Sequence, residues 1–423
     1  MISKLLSFQV FRTVITSAAV VLLVILSVGR GDSISPLRLV AGEHEQDLVR
    51  WELTHFMDKW FARVIDLTLR SSPNDGERLA AVHEFFRLRD DIAALNTSPQ
   101  SPLDVQAAVD ALKQRRFELQ ALVEEVLEST ISQVVHEQGI IGGIGPVRWP
   151  PVDFTFENRG LLLVRSPLDR IERLSELLLI PGLSLLDQIT LEEKVESLDT
   201  DTSALVVRVG GVATYPAQVS PDRSLHGTLE LAAHEWLHHW LIFKPLGKRW
   251  FAGGELQSIN ETVSNIFGQE ISDLALEKLT GERPERAPWV QPTVQHREEP
   301  AREIFDFRRA MRETRVRLEE LLDEGHVKEA SVFLEERRFE FVDNGYNIRK
   351  LNNAWFAFNG TYADSAASIS PIESQLRAIR ANSPNLAEFL DHVARINSDG
   401  QLEEVALVSG WVPIDITTGL PLP

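Results

Sequence analysis

The sequence predicts an α+β chain, mainly helical with a small mixed sheet, carrying helical N- and C-terminal regions and an N-terminal transmembrane helix. Three observations predict it. Long stretches free of Gly and Pro space their apolar residues at helical intervals, as helices with one buried stripe do. Two short segments rich in Val and Leu, "LLLVRS" at 161–166 and "SALVVRVGGVATYPAQV" at 203–219, read as strands. A 17-residue run without charge, "TVITSAAVVLLVILSVG" at 13–29, stands ahead of everything else.

That run is short for a bilayer span and long for a signal-peptide core. Lys4 and Arg12 precede it, so residues 1–30 read as a cytoplasmic tail and single-pass membrane anchor, with the rest of the chain outside the cytoplasm; Arg30 weakens the asymmetry. Ser27 and Gly29 also suit a signal peptidase, and cleavage there would make the protein secreted. From Glu43 to about Leu69, Leu48, Trp51, Phe56, Trp60, Val64 and Leu67 mark a first helix, ended by "SSPNDG" at 71–76. A second helix follows to Leu95. A third starts at Ser101 and Pro102, with Asp104 placed to close a capping box, and runs to about Gln138, roughly 50 Å at 1.5 Å per residue. Residues 31–141 are thus a helical N-terminal region.

Gly and Pro cluster in "GIIGGIGPVRWPPVDF" at 139–154, where the composition changes. Gly142, Gly143 and Gly145 do not form a nucleotide loop, because Pro146 follows and no helix opens there. The two strands come next, with a helix expected between them around 167–179. A central domain spans 142–282. "GERPERAPWVQP" after residue 280 reads as a linker, and 283–423 as a helical C-terminal subdomain in which "RVRLEELLDEGHVKEASVFLEERR" folds as a helical hairpin turning near Gly325.

Composition excludes several functions. With 423 residues, 43% hydrophobic, the chain has ample core material, and its net charge of −19 argues against a nucleic-acid partner, which requires clustered Lys and Arg. It has no Cys, so disulfides, thiol nucleophiles and Cys-held zinc are all absent, and any metal must be held by His, Asp or Glu. No GxSxG elbow or Walker sequence occurs.

One stretch carries chemistry. "LELAAHEWLHHW" at 229–240 contains His234-Glu235-Trp236-Leu237-His238, an HExxH pattern. On a helix, residues i and i+4 are neighbours, so His234 and His238 lie about 40° apart and both imidazoles can reach one zinc ion. Glu235 then stands beside the metal, where it can take a proton from water. Trp236, Trp240 and Phe243 occupy the other side, and the helix is apolar on nearly every face, so it should be buried almost all round. Backbone carbonyls or Glu230 could equally satisfy buried imidazoles. His239 points about 140° away from His234 and reads as a supporting residue.

A catalytic zinc normally has a third protein ligand. No histidine follows closely, since Leu241 and Lys244 stand at the positions where a metzincin has glycine and histidine. After a turn in "KPLGKRWFAGG" at 244–254, a second helix carries "INETVSN" at 259–265. Glu261 lies off its apolar stripe, on a side with Gln257, Asn265 and Gly268; a solvated helix face fits that as well as a ligand does.

"INETVSN" resembles the NExxSD segment of the gluzincins, zinc metallopeptidases in which it follows HExxH by about twenty residues. The resemblance covers about 230–270. It implies a zincin-like catalytic domain, a Zn2+ cofactor held by His234, His238 and Glu261, Glu235 as catalytic base, and a peptide or protein substrate. Asn260 and Ser264 match the motif, but Asn265 stands where the family has an aspartate that hydrogen-bonds a zinc-bound histidine. The family also places a substrate-binding strand before the active-site helix, a role "GGVATYPAQV" at 210–219 fits by order. For the oxyanion donor the candidate is Tyr362, in "LNNAWFAFNGTYADS" at 351–365, a segment similar to predicted bacterial aminopeptidases.

The sequence therefore points to a membrane-anchored zinc peptidase, an aminopeptidase among the options. The alternative is an extracytoplasmic scaffold or binding protein that kept the fold without turnover. An intramembrane protease is disfavoured by Glu230 and the polar turn from Lys244.

Overall fold

Long helices leave the N-terminal third little choice but to bury a shared stripe. The computed structural model describes residues 36–48, 51, 74–97, 102–141, 143–144, 147–148, 150–158, 160–250, 253–286, 289 and 305–413. The anchor expected at 13–29 lies outside them; among the described residues no helix is long and apolar enough to cross a membrane.

The chain enters with α1 (Pro36–Ala41) and a 3-10 turn at Gly42–His44. The helix expected from Glu43 does not start there: Glu45 bridges to Leu179, and Gln46 N donates to the Leu178 carbonyl, so this stretch is held by a sheet edge instead. Most of that expected helix falls outside the described residues. α2 (Asp75–Asn96) opens with a capping box between Asn74 and Glu77, and α3 (Pro102–Glu137) packs along it.

A short ribbon, β1 (Gly143–Ile144) with β2 (Val147–Arg148), precedes β3 (Phe154–Phe156), β4 (Leu161–Pro167) and β5 (Ser175–Leu179). A helix was expected at 167–179, and the structure corrects it. "SELLL" pairs antiparallel with β4, register Leu161 to Leu179, because that buries Leu177, Leu178 and Leu179 against a strand already in place. The helix comes later, as α4 (Leu185–Leu198), once Ser184 caps it with Asp187.

The expected strand at 203–219 is three pieces, β6 (Thr202–Arg208), β7 (Gly211–Val212) and β8 (Ala217–Val219). Gly210 and Pro216 interrupt it, since neither supports a continuous ladder. In place of one small mixed sheet there are several small ones: β5-β4-β6 is wholly antiparallel, and β3-β8-β7 is mixed, with β3 parallel to β8 and β7 antiparallel at its end.

Next come α5 (Leu225–Leu241), the short α6 (Pro245–Lys248) and α7 (Gly254–Thr280). The predicted hairpin is α8 (Phe307–Asp323) and α9 (Val327–Asp343), joined where Gly325 takes φ +77°. α10 (Asn353–Asn359), α11 (Ile372–Ala381), α12 (Leu386–Val393) and α13 (Gln401–Val408) complete the order. The molecule is thus mainly helical with small sheets.

One large core joins all three sequence regions: Phe85 and Leu127 from α2 and α3, Trp236 and Phe267 from α5 and α7, and Phe389 and Leu402 from the C-terminal helices. Trp236 is its keystone on α5. It is 1% exposed, stacks on Phe267 with ring centroids 5.6 Å apart, and donates its indole N–H to the Pro150 carbonyl at 3.1 Å. Trp236→Ala should therefore lower stability by about 3–5 kcal/mol, read from denaturant melts of parent and variant.

Candidate metal centre

α5 and α7 cross with the site between them. Ser224 caps α5 by accepting from Gly227 N at 3.1 Å, and the helix is buried from Thr228 through His239 apart from the half-buried Glu230, as its apolar faces predicted. α7 can approach because residue 268 is glycine: a Cβ there would lie 2.7 Å from the Glu230 carbonyl oxygen and 3.4 Å from both N and Cβ of His234. Gly268→Val should force the helices apart, costing about 1–3 kcal/mol of stability and loosening any metal held between them; thermal melts and metal titration check both.

The face of α7 that carries Glu261 is not solvated. Gln257, Asn260, Glu261, Ser264 and Gly268 are buried against α5 and its surroundings, and Asn265 is half-buried. His234, Glu235 and His238 are buried as well, and together form a group that could hold a metal ion. His234 Nε2 and His238 Nε2 are 3.0 Å apart, and Glu261 Oε2 lies 3.4 Å from the first and 3.7 Å from the second. Oε2 is buried without a hydrogen-bond partner. Four-coordinate zinc ligands at about 2.0–2.1 Å from the ion stand roughly 3.3–3.4 Å from each other, so these three edges match a tetrahedral face. The donor set therefore fits a divalent ion of zinc's size and ligand preference.

Hydrogen bonds orient the converging atoms. His238 Nδ1 donates to Asn260 Oδ1 at 2.8 Å, with Ser264 Oγ 3.4 Å away; a proton on Nδ1 leaves the Nε2 lone pair facing its neighbours. Trp250 sets its ring edge-on to His238, centroids 4.9 Å apart. His239 turns away, its Nε2 donating to the Thr214 carbonyl at 2.9 Å, which ties α5 to the loop between β7 and β8.

The local electrostatics follow from burial and crowding. Burial lowers the His238 pKa to about 4, keeping that imidazole neutral. At His234 burial works in the same sense, yet the Glu261 carboxylate beside it, with the charges of Glu235 and Asp364, outweighs burial and moves the pKa up. Glu261 is its counterpart: burial would raise its pKa, but the two imidazoles and Arg173 bring it down. Burial pushes Glu235 up to about 7, against the influence of His234 and Arg223. Its carboxylate presses on β7, where a Cβ at Gly211 would lie 2.4 Å from Oε1 and 2.9 Å from the Gln218 carbonyl oxygen, a close approach that glycine permits.

No protein-family model, curated protein or solved structure matches this chain. What the site can do is decided by its own atoms.

Tyr362 lies close enough to the site for the charges of Glu261 and Glu235 to act on it, and Glu261 Oε2 takes no hydrogen bond from it. Its loop is pinned by Ala363 N donating to Thr262 Oγ1 at 3.1 Å and by Arg173 Nη2 donating to Thr361 Oγ1 at 2.9 Å. Burial, then the charges of Glu261 and Glu235, raise the Tyr362 pKa well above its ordinary value, so the phenol keeps its proton.

Sequence reasoning overlooked the roles of Asn260, Gly211, Trp250 and Asp364. Asn260 was next to the assigned ligand, and Asp364 lay two residues past a flagged tyrosine, so their positions hinted at them. Nothing local marked Gly211 or Trp250.

Proposed function

We propose that this chain is a zinc-dependent peptidase of gluzincin type, in which His234, His238 and Glu261 hold the metal. The observation that carries this reading is the convergence of two imidazole nitrogens and one unpartnered carboxylate oxygen at 3.0, 3.4 and 3.7 Å. When bound, zinc supplies Lewis acidity, lowering the pKa of water and polarising a carbonyl.

Glu235 is the proton carrier. It accepts the proton of the attacking water and delivers it to the nitrogen of the departing amine. A pKa pushed up to about 7 suits both transfers near neutral pH. Among the described residues β7 ends its sheet, so an extended peptide that adds to that edge would lie along the strand whose Gly211 faces the Glu235 carboxylate. The Tyr362 phenol, protonated throughout, serves as donor to the oxyanion that forms on the substrate carbonyl. The charge pattern around residues 13–29 supports a single-pass anchor with this activity outside the cytoplasm.

The test is direct. Full-length protein should carry one zinc per chain by elemental analysis and cleave members of a mixed peptide library, with loss of cleavage on chelation. One zinc per chain with no cleavage would instead support the scaffold reading that Asn265 motivates, and absence of zinc would sink the peptidase reading.

A further inference from the structure

The two edges of the β3-β8-β7 sheet differ. At β3 the amides of Phe154 and Phe156 donate to Glu128 and Glu124 of α3, at 3.0 and 2.7 Å, so that edge is covered. β7, at the other end, has no strand beside it among the described residues, and two neighbouring glycines there each face a charged side chain. A Cβ on Gly211 would lie 2.4 Å from Glu235 Oε1, and one on Gly210 would lie 2.7 Å from Arg223 Nη2 and 3.7 Å from Leu231 Cδ1. A Cβ on Gly227 would lie 3.6 and 3.9 Å from Cβ and Cδ of Arg223. The arginine stem therefore follows the face of α5 on which Gly227, Leu231 and Glu235 succeed one another by a turn, and it sets its guanidinium against the start of β7.

Arg223 is exposed and, among the described residues, makes no hydrogen bond or ion pair. Arg173, whose charge also reaches the site, is by contrast engaged with Glu176 and Thr361. The path from Arg223 Nη2 to Glu235 Oε1 through two adjacent residues, with Cα atoms 3.8 Å apart, is at most about 12 Å, and an extended peptide advances roughly 3.3–3.6 Å per residue. We propose that Arg223 is a specificity residue that binds a substrate carboxylate within about three residues of the scissile bond. This rests on the zinc-peptidase reading above. A guanidinium with its donors unspent takes a carboxylate through two parallel hydrogen bonds, whether that group is the peptide's C-terminus or an Asp or Glu side chain. At a net charge of −19 the chain as a whole repels polyacidic peptides, so the preference is for one placed carboxylate and not for an acidic run.

The readout is kcat/KM of the zinc-loaded full chain on peptide pairs that differ by one carboxylate: C-terminal acid against amide, and Glu against Gln at each position flanking the cleaved bond. The parent should favour the carboxylate member of one pair about 10-fold, the low end for a hydrogen bond between charged groups because Arg223 is exposed. Arg223→Gln should bring that ratio close to unity, and Arg223→Glu should invert it. Because each ratio is taken within one protein, any common effect of Arg223 on Glu235 cancels. A preference in the C-terminal pair assigns the carboxylate to the chain end, and one in an internal pair assigns it to an acidic side chain; either supports the proposal. Two results overturn it alone: a parent that cleaves peptides without preference in any pair, or a preference that Arg223→Gln leaves intact. A parent that cleaves no peptide overturns the peptidase reading first, and this proposal with it.

Discussion

Glu235→Gln should leave zinc in place and reduce peptide hydrolysis by about 10²–10⁴-fold. Glutamine has the shape of glutamate, so it fits the space against Gly211 and leaves His234 and His238 undisturbed. It cannot take a proton from water at neutral pH, and the proton transfer is what disappears. The same substitution makes a prediction about stability with a definite sign. The folded pKa of about 7 lies above the ordinary 4.5, so burying Glu235 in its ionised form costs stability. That cost begins as pH rises above about 4.5 and is complete above about 7. Metal-free Glu235→Gln should therefore melt higher than metal-free parent at pH 8 and level with it at pH 4. Equal cleavage rates for parent and variant, at equal zinc content, would remove Glu235 from the mechanism.

The second large effect is on the metal. Glu261→Gln should lose zinc by more than the roughly 100-fold that removal of a supporting hydrogen-bond partner costs, because an anionic ligand is exchanged for a neutral amide. Thermal melts report it cleanly. At zinc 100 times the dissociation constant, the parent gains about 2.7 kcal/mol of stability by linkage, and the variant should gain almost nothing at that concentration. Without metal, the variant should be less stable than the parent near neutral pH, since the two imidazoles and Arg173, which outweigh burial and bring the Glu261 pKa down, stabilise its ionised carboxylate in the folded chain. A zinc-dependent rise in melting temperature of equal size in both proteins would show that Glu261 is not a ligand.

Helices were legible from the sequence wherever one element could account for its own apolar pattern. α2, α3, α5, α7 and the α8–α9 hairpin bury stripes that local spacing already marks, and capping residues such as Ser224 sit where the chain turns. The 167–179 segment failed for the opposite reason. "SELLL" is short and apolar, a pattern compatible with helix or strand, and only its pairing with β4 decides between them. The run at 203–219 was misjudged in a related way. Its composition is that of a strand, but Gly210 and Pro216 divide it, and the division matters because β7, opening on Gly211, approaches Glu235 closely.

At the site, the sequence by itself determined the pair of imidazoles, since four residues on a helix bring two side chains to one face regardless of what surrounds them. It also named Glu261, through the likeness of "INETVSN" to a known segment. Whether Glu261 turned toward those imidazoles or toward water depended on the packing of α7 against α5, which no local pattern encodes. The crossing made possible by Gly268 brings Glu261 Oε2 to 3.4 and 3.7 Å from them and buries it. Asp364 depended on tertiary structure still more: it stands 99 residues beyond Asn265, and only the fold of the C-terminal loop onto α7 places a charge there. Periodicity reports which face of an element is apolar; which faces meet is settled by long-range packing.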